Sequence, residues 1–184
     1  MSGRVCLIAA IVVAGVCDVS GQERARTEYE IKAAYLYTFG RFVEWPARSP
    51  RREARTFDIC VLGVDPFGSV LDSTVKNVMM QGRSVVARRI AAPADAGGCH
   101  ILFISASEER QVATIVGALA RADVLTVSDM PQFVGRGGMI QFVNAGSRVR
   151  FEISLPPAQD AGLTLSSELL RVASVVRKDR QPGA

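Results

Sequence analysis

Hydrophobic residues recur at helical spacing in the segment between about residues 28 and 43. The positions that would share one face of a helix there are Ile31, Ala34, Tyr35, Thr38, Phe39 and Phe42. The opposite face carries Lys32 and Arg41, so the pattern predicts an amphipathic helix with a polar side. Thr27 and Glu30 have the spacing of a capping box, which predicts Thr27 as the N-cap.

A different spacing follows, in which short apolar and β-branched runs alternate with helical segments. Four runs predict strands at 57–63, 84–90, 99–104 and 124–127. Helices are predicted over about 65–75 and 107–121, starting at Asp65-Pro66 and Ser107. This alternation is typical of an α/β domain with a mostly parallel sheet.

The pattern changes again in the last third of the chain. The runs 139–143 and 148–155 flank a turn, and the second alternates strictly between apolar and polar residues. Such alternation predicts an antiparallel hairpin with one wet face. Helical spacing over about 166–177 predicts a final helix. The expected fold is therefore a single α/β domain with a mixed, mostly parallel sheet, flanking helices, and a C-terminal antiparallel hairpin plus helix.

The first 21 residues differ in kind from the rest. One arginine precedes an apolar run of about a dozen residues, and small residues follow, which is the layout of a secretory signal peptide. Asp18 ends the run well short of the roughly 20 residues that a membrane span requires. We therefore expect cleavage after Gly21 and export of the mature protein. Lipid attachment at Cys17 is less favoured, because the residue before it is Val16 rather than a small one.

The expected mature chain consists of a leader (22–27), one domain (28–177) and a disordered tail (178–184). Its net charge is +4, since removal of residues 1–21 takes away one arginine and one aspartate from a chain of charge +4. The arginines between positions 48 and 55 are interpreted as a solvated loop. Nucleic acid is not an expected partner, because no aromatic residues interleave with this cluster.

Export leaves two cysteines, Cys60 and Cys99, and the second adjoins the chain's single histidine, His100. A catalytic Cys-His pair is disfavoured, because adjacent strand residues point to opposite faces. A zinc site is disfavoured because about four ligands are needed and no CxxC spacing occurs. A disulfide between Cys60 and Cys99 is the favoured interpretation in an oxidising compartment.

No other motif indicates catalysis. Gly135 to Gly138 lead into a strand rather than a helix, so this segment predicts a turn with positive φ instead of a phosphate-binding loop. Ser105 and Ser107 lack a nucleophile-elbow pattern, and the one histidine lies on a predicted strand. We expect a protein that is not an enzyme and that needs no metal or cofactor.

Several segments together resemble the YfiR family of periplasmic proteins. They are AAYLYTFGRFVEWP (33–46), VLGVDPFGSVLD (61–72), CHILFISASE (99–108), VLTVSDMPQF (124–133), GGMIQFV (137–143) and RVRFEISLPPAQDAGLTLSSELLRVA (148–173). The resemblance covers nearly the whole expected mature chain. It places Cys60 and Cys99 where the family's strand motifs carry a disulfide. A second cysteine pair that some members have near the double glycine is missing here.

The resemblance implies a regulator that acts by binding. YfiR-like proteins repress an inner-membrane diguanylate cyclase of the YfiN type through its periplasmic domain. They are sequestered by an outer-membrane lipoprotein of the YfiB type. Release of the cyclase raises cyclic di-GMP and favours biofilm growth. The family also implies a homodimer.

Elements with two possible apolar faces supply candidate contacts for the partner. These are Leu36 and Tyr37 on the first helix, Arg150 and Glu152 on the wet face of the hairpin, and Leu163 after two prolines. The alternative function is a periplasmic small-ligand-binding sensory protein. Its ligand would lie where the predicted strands end, at Gly63, Ser105 and Ser128-Asp129.

Overall fold

The computed structural model describes residues 19–146 and 148–179. The α-helices within these ranges are α1 (Val19–Arg41), α2 (Ser69–Val75), α3 (Val112–Leu119), α4 (Leu155–Asp160) and α5 (Ser167–Val172). The strands are β1 (Val43–Glu44), β2 (Thr56–Leu62), β3 (Met79–Met80), β4 (Arg83–Ile90), β5 (Ile101–Ile104), β6 (Leu125–Ser128), β7 (Ile140–Ala145), β8 (Arg148–Ser154), β9 (Thr164–Leu165) and β10 (Val175–Arg177).

Eight of these strands form one mixed sheet in the order β10-β8-β7-β6-β5-β2-β4-β3. The pairs β2/β4, β2/β5, β5/β6, β6/β7 and β8/β10 are parallel. β7 and β8 form the predicted antiparallel hairpin, with Phe142 opposite Phe151. The predicted fold class is confirmed, and a second small sheet of β1 and β9 accompanies it.

The central strands are buried on both faces, which explains their nearly continuous apolar sequences. Along β2, Phe57, Ile59 and Val61 join the core cluster that contains α1, whereas Cys60 and Leu62 join the cluster that contains α3. Side chains alternate in this way because successive strand residues point to opposite faces. The sheet therefore separates an α1 face from an α3 face.

Helix α1 begins earlier than the sequence pattern predicts. It is already helical at Val19 and passes through Thr27 without a break, so the prediction of Thr27 as N-cap is wrong. The residues before Thr27 are mostly good helix formers, namely glutamine, glutamate, arginine and alanine. A capping-box spacing does not start a helix when the preceding residues favour the helical state.

The buried face of α1 is also rotated from the predicted one. Ala33, Leu36 and Phe39 are fully buried, whereas Ile31 is exposed. Gly40 shares the buried face, and a Cβ there would approach the Phe57 ring to 2.7 Å. The helix therefore packs closely on the sheet through its smallest residue, and part of the aromatic stripe is left facing sideways.

The C-terminal segment is a short helix followed by a strand, so the single predicted helix over 166–177 is wrong in its second half. α5 starts at its cap Ser166, whose Oγ accepts a hydrogen bond from the Leu169 amide. The chain then becomes extended at Ala173 and pairs with β8 along the edge of the sheet. Valines pack well in a strand, and β8 offers a row of unpaired backbone groups, so edge pairing overrides helical spacing.

Two other helix starts differ from their predictions. Ser105, not Ser107, accepts the capping bond at the start of a 3-10 turn that leads into α3. Asp65 accepts from the Phe67 amide at 2.8 Å, but α2 itself begins at Ser69. Helix α4 was not predicted, although the prolines in its first turn are compatible with a helix start.

The predicted signal peptide (1–21) and the possible lipid site at Cys17 lie outside the described residues, apart from positions 19–21 in α1. The predicted tail (178–184) is described only as far as Asp179. These boundaries stay predictions.

Candidate partner surface and its surroundings

The Cys60–Cys99 disulfide is present, with the two Cα atoms 5.8 Å apart. Cys60 lies on β2, and Cys99 follows the 3-10 turn Pro93–Gly98 just before β5. Both cysteines are fully buried in the core on the α3 face. The pair therefore links two parts of the sheet and offers no exposed thiol.

His100 is a buried structural residue whose protonation state follows from its contacts. The Asp58 amide donates to Nδ1 at 3.1 Å, so the proton of the neutral ring is on Nε2, which lies 3.0 Å from the Arg51 carbonyl. The ring stacks on Phe57 with centroids 4.3 Å apart. Burial lowers the pKa of His100, and the guanidinium of Arg83 lowers it further. These contacts leave it no role as a base toward Cys99.

Arg51 corrects the interpretation of the arginine loop as solvated. Only 5% of its side chain is exposed, and its Nε donates to the Cys99 carbonyl at 2.5 Å. Its Nη1 forms an ion pair with Asp123, and its Nη2 contacts the Ala96 carbonyl at 3.4 Å. Arg51 therefore fixes the loop against the segment that carries Cys99.

A second buried cation, Lys32, was predicted on the polar side of the first helix but is only 3% exposed. Its Nζ lies 2.6 Å from both Asp129 Oδ2 and Glu28 Oε1. The hydroxyl of Tyr29 also donates to Asp129 at 2.9 Å, and burial together with Asp129 raises the pKa of Tyr29. This cluster ties α1 to the end of β6.

The strand ends that were candidates for a ligand crevice are occupied by the protein's own groups. Ser128 Oγ donates to the Ile104 carbonyl at 2.7 Å, and Ser107 Oγ accepts from the Val64 amide at 2.9 Å. A Cβ on Gly63 would lie 2.4 Å from Ser107 Oγ. The parallel strands β2, β5 and β6 thus bring these residues to one edge of the sheet, where the serine side chains are engaged in hydrogen bonds within the protein.

The five predicted contact residues are not brought together either. Leu36 and Leu163 are buried in the core, so neither side chain is available on the surface of this structure. Tyr37 is half-buried, and Arg150 is exposed. Glu152 pairs with Arg177 of β10 at 3.3 Å. Arg150 and Glu152 lie on the opposite face of β8 from Phe151, which packs against α1, so they are separated from Tyr37 by the sheet.

A surface groove of about 290 Å³, here called the aromatic groove, lies between α1 and α5, and buried core residues are part of its lining. It is lined by Tyr35, Thr38, Phe39, Phe42, Phe151, Glu168, Leu169, Arg171 and Val172. The rings of Tyr35 and Phe39 stack at 5.8 Å, and Phe39 contacts Phe151 at 5.0 Å. Val172 is 59% exposed at its rim. Helical spacing had identified the aromatic residues of α1 but not that Tyr35 and Phe42 are only partly buried, which depends on the rotation of α1.

The structure of the described residues also concerns three other features considered from the sequence, namely a metal site, a membrane span and a glycine turn. Among them, no group of three His, Cys, Asp or Glu side chains has the arrangement of a metal site. Of the helices in this part of the chain, none combines the length and apolar character that a membrane span requires. Gly137 has a φ of 96°, which confirms the predicted turn with positive φ.

Comparison with known proteins identifies the family. A solved structure of a conserved domain protein from Vibrio cholerae O1 biovar El Tor str. N16961 has a similar fold, with a TM-score of 0.52 and 12% sequence identity. The match covers 83% of this chain and 60% of that one, so this chain spans less than two thirds of that protein's length. The family model described as YfiR/HmsC-like (DUF4154) matches residues 29–174. The chain therefore belongs to the YfiR/HmsC-like family.

Proposed function

We propose that this protein is a periplasmic repressor that binds the periplasmic domain of an inner-membrane diguanylate cyclase of the YfiN type. Family membership supports the regulatory role, and the buried disulfide is in keeping with an oxidising compartment. Sequestration by a YfiB-type outer-membrane lipoprotein and homodimer formation belong to the same proposal. The protein acts by contact rather than by catalysis.

The observation that carries the binding proposal is the aromatic groove. Its partly exposed aromatic side chains, Tyr35 and Phe42, favour protein–protein contact, because aromatic rings bury large areas with little loss of conformational entropy. Val172 extends the apolar area at the rim, while Glu168 and Arg171 add one charge of each sign. An apolar centre with a charged rim is the common composition of an interface.

The test is a charge placed at the rim. Val172→Lys puts a cation at the last position of α5, where the helix dipole tolerates it, so the fold is retained. We expect its affinity for the periplasmic domain of the organism's YfiN-type cyclase to fall by about tenfold or more, because the charge must be desolvated on binding. The measurement is titration calorimetry with the two purified proteins.

The matched control is Val64→Lys, at a valine that is 72% exposed and lies outside the groove. This variant should bind as the unmodified protein does. Equal affinity of all three proteins would contradict the assignment of the groove to the cyclase. A loss of self-association in Val172→Lys with unchanged cyclase binding would assign the groove to the homodimer instead.

A further inference from the structure

A second cavity, of about 320 Å³, lies on the α3 face near the C-terminal edge of the sheet. Small residues of α3 and its C-cap, namely Ala113, Gly117 and Ala120, form part of its wall. The short side chains leave open the space between α3 and the last strands. The volume is at the lower end of the range for small-molecule sites.

Two guanidinium groups line this cavity, and each has one nitrogen that makes no hydrogen bond among the described residues. Nη1 of Arg136 and Nε of Arg177 are shielded from solvent and make no hydrogen bond among the described residues. The closest ion-pair partner of Arg136 is Glu109 Oε1 at 3.6 Å, which is too far for a hydrogen bond. The guanidinium of Arg177 donates to Glu152 through Nη2, not through Nε.

A shielded N–H that makes no hydrogen bond is unfavourable even when the rest of its guanidinium is ion-paired and partly exposed, so two such donors on one cavity indicate room for a further acceptor. The two arginines come from separate elements. Arg136 is held by a turn whose Gly137 packs on α3, where an added Cβ would lie 3.3 Å from Val116. Arg177 is fixed by pairing of β10 with β8. Their convergence on one cavity is therefore a property of the tertiary structure.

The other charged groups restrict the acceptor. Asp160 and Asp179 also line the cavity, so a multiply charged anion would meet repulsion as well as attraction. A carboxylate carries one charge and matches the planar fork of a guanidinium. Met139 and Pro156 supply apolar contacts for the rest of such a ligand.

We propose that this cavity binds a small organic monocarboxylate, whose carboxylate accepts hydrogen bonds from Arg136 and Arg177 and whose apolar part packs against α3, Met139 and Pro156. This site is separate from the aromatic groove and from the strand ends expected for a ligand. It does not depend on the proposed repression of a cyclase.

The test follows the arginine side chains directly. In ¹⁵N–¹H spectra of the exported protein, the Nε–H signal of Arg177 should shift saturably as benzoate is added. The aliphatic carboxylates from acetate to hexanoate are tested in the same way. Benzyl alcohol shows whether binding needs the negative charge, and phenyl phosphate shows whether the site prefers a carboxylate to a phosphate. We expect no saturable shift with benzyl alcohol and weaker binding of phenyl phosphate than of benzoate.

Arg136→Gln and Arg177→Gln should each weaken benzoate binding by about tenfold, since each removes a charged donor. Arg136→Gln is the more informative variant, because Arg177 also pairs with Glu152. The matched control is Arg110→Gln, an exposed arginine that does not line the cavity and should bind as the unmodified protein does.

Absence of a saturable shift with every carboxylate would overturn the proposal, as would equal affinities in Arg136→Gln and the unmodified protein. Binding of phenyl phosphate at least as tight as that of benzoate would overturn the carboxylate assignment. A folded spectrum for each variant is the condition for the comparison, and Arg177→Lys supplies a variant that keeps the charge but removes Nε.

Discussion

Two regions of the sheet hold their arginine side chains in different ways. In the first, here called the disulfide end, Arg51 and His100 lie near β2 and β5 and are buried and bonded to backbone and side-chain partners next to Cys99. In the second, here called the C-terminal end, around β8 and β10, one nitrogen each of Arg136 and Arg177 makes no hydrogen bond among the described residues, and Val172 is exposed. The difference indicates that the first end serves stability and that the second is available for binding.

Removal of the disulfide should have the largest effect on stability. Replacing both Cys60 and Cys99 with Ala frees a segment whose ends are 39 residues apart. The chain-entropy model gives a loss of about 4 kcal/mol in the free energy of unfolding. Urea unfolding of the exported protein and the variant measures it. A loss below about 1 kcal/mol would show that this end does not depend on the disulfide.

Arg51→Met should have the next largest effect. It keeps much of the side-chain volume but leaves Asp123 and the Cys99 carbonyl without their charged donor. We expect a loss of about 3 kcal/mol in the free energy of unfolding. The neighbouring Arg52 is exposed, so Arg52→Met should change it by less than about 0.5 kcal/mol. Similar losses in both variants would contradict the buried role of Arg51.

His100 should make the disulfide end sensitive to acid. Its pKa in the folded protein is held below the ordinary 6.5 by burial, so below that pH the unfolded chain binds a proton that the folded protein does not. The contribution of neutral His100 is complete above about pH 6.5 and declines as the pH falls, at up to about 1.4 kcal/mol per pH unit. Between pH 7.5 and 5, the free energy of unfolding should fall less steeply with decreasing pH in His100→Gln than in the unmodified protein. The same pH dependence in both proteins would exclude His100 as the cause.

Val172→Lys should have the smallest effect on folding and the largest on partner binding. Because Val172 is 59% exposed, we expect the free energy of unfolding to change by less than about 0.5 kcal/mol. Thermal unfolding beside the calorimetry described above measures both quantities. A large decrease in the free energy of unfolding would show that Val172 contributes to the stability of the fold and not only to partner binding.

The sequence predicted elements whose pattern is local. The apolar runs of the central strands and the alternation of β8 were sufficient to identify the sheet and its hairpin. The two cysteines of the expected mature chain were sufficient to pair Cys60 with Cys99. The pattern of each strand lies within one element. The disulfide could be assigned because two cysteines allow only one pairing.

The sequence did not predict features that depend on remote partners. Lys32 and Arg51 were assigned to solvent, but Asp129 lies 97 residues from the first and Asp123 lies 72 residues from the second. The strand after α5 required the free edge of β8, which helical spacing does not reveal. The aromatic groove required the rotation of α1, which packing around Gly40 determines.

The most direct test of the proposed repression is intracellular cyclic di-GMP in the source strain. The gene is deleted and then restored with and without the predicted signal peptide, residues 1–21. We predict that deletion raises cyclic di-GMP and that only the form carrying residues 1–21 restores the original level. Unchanged cyclic di-GMP in all strains would contradict the proposal that this protein represses a diguanylate cyclase from the periplasm.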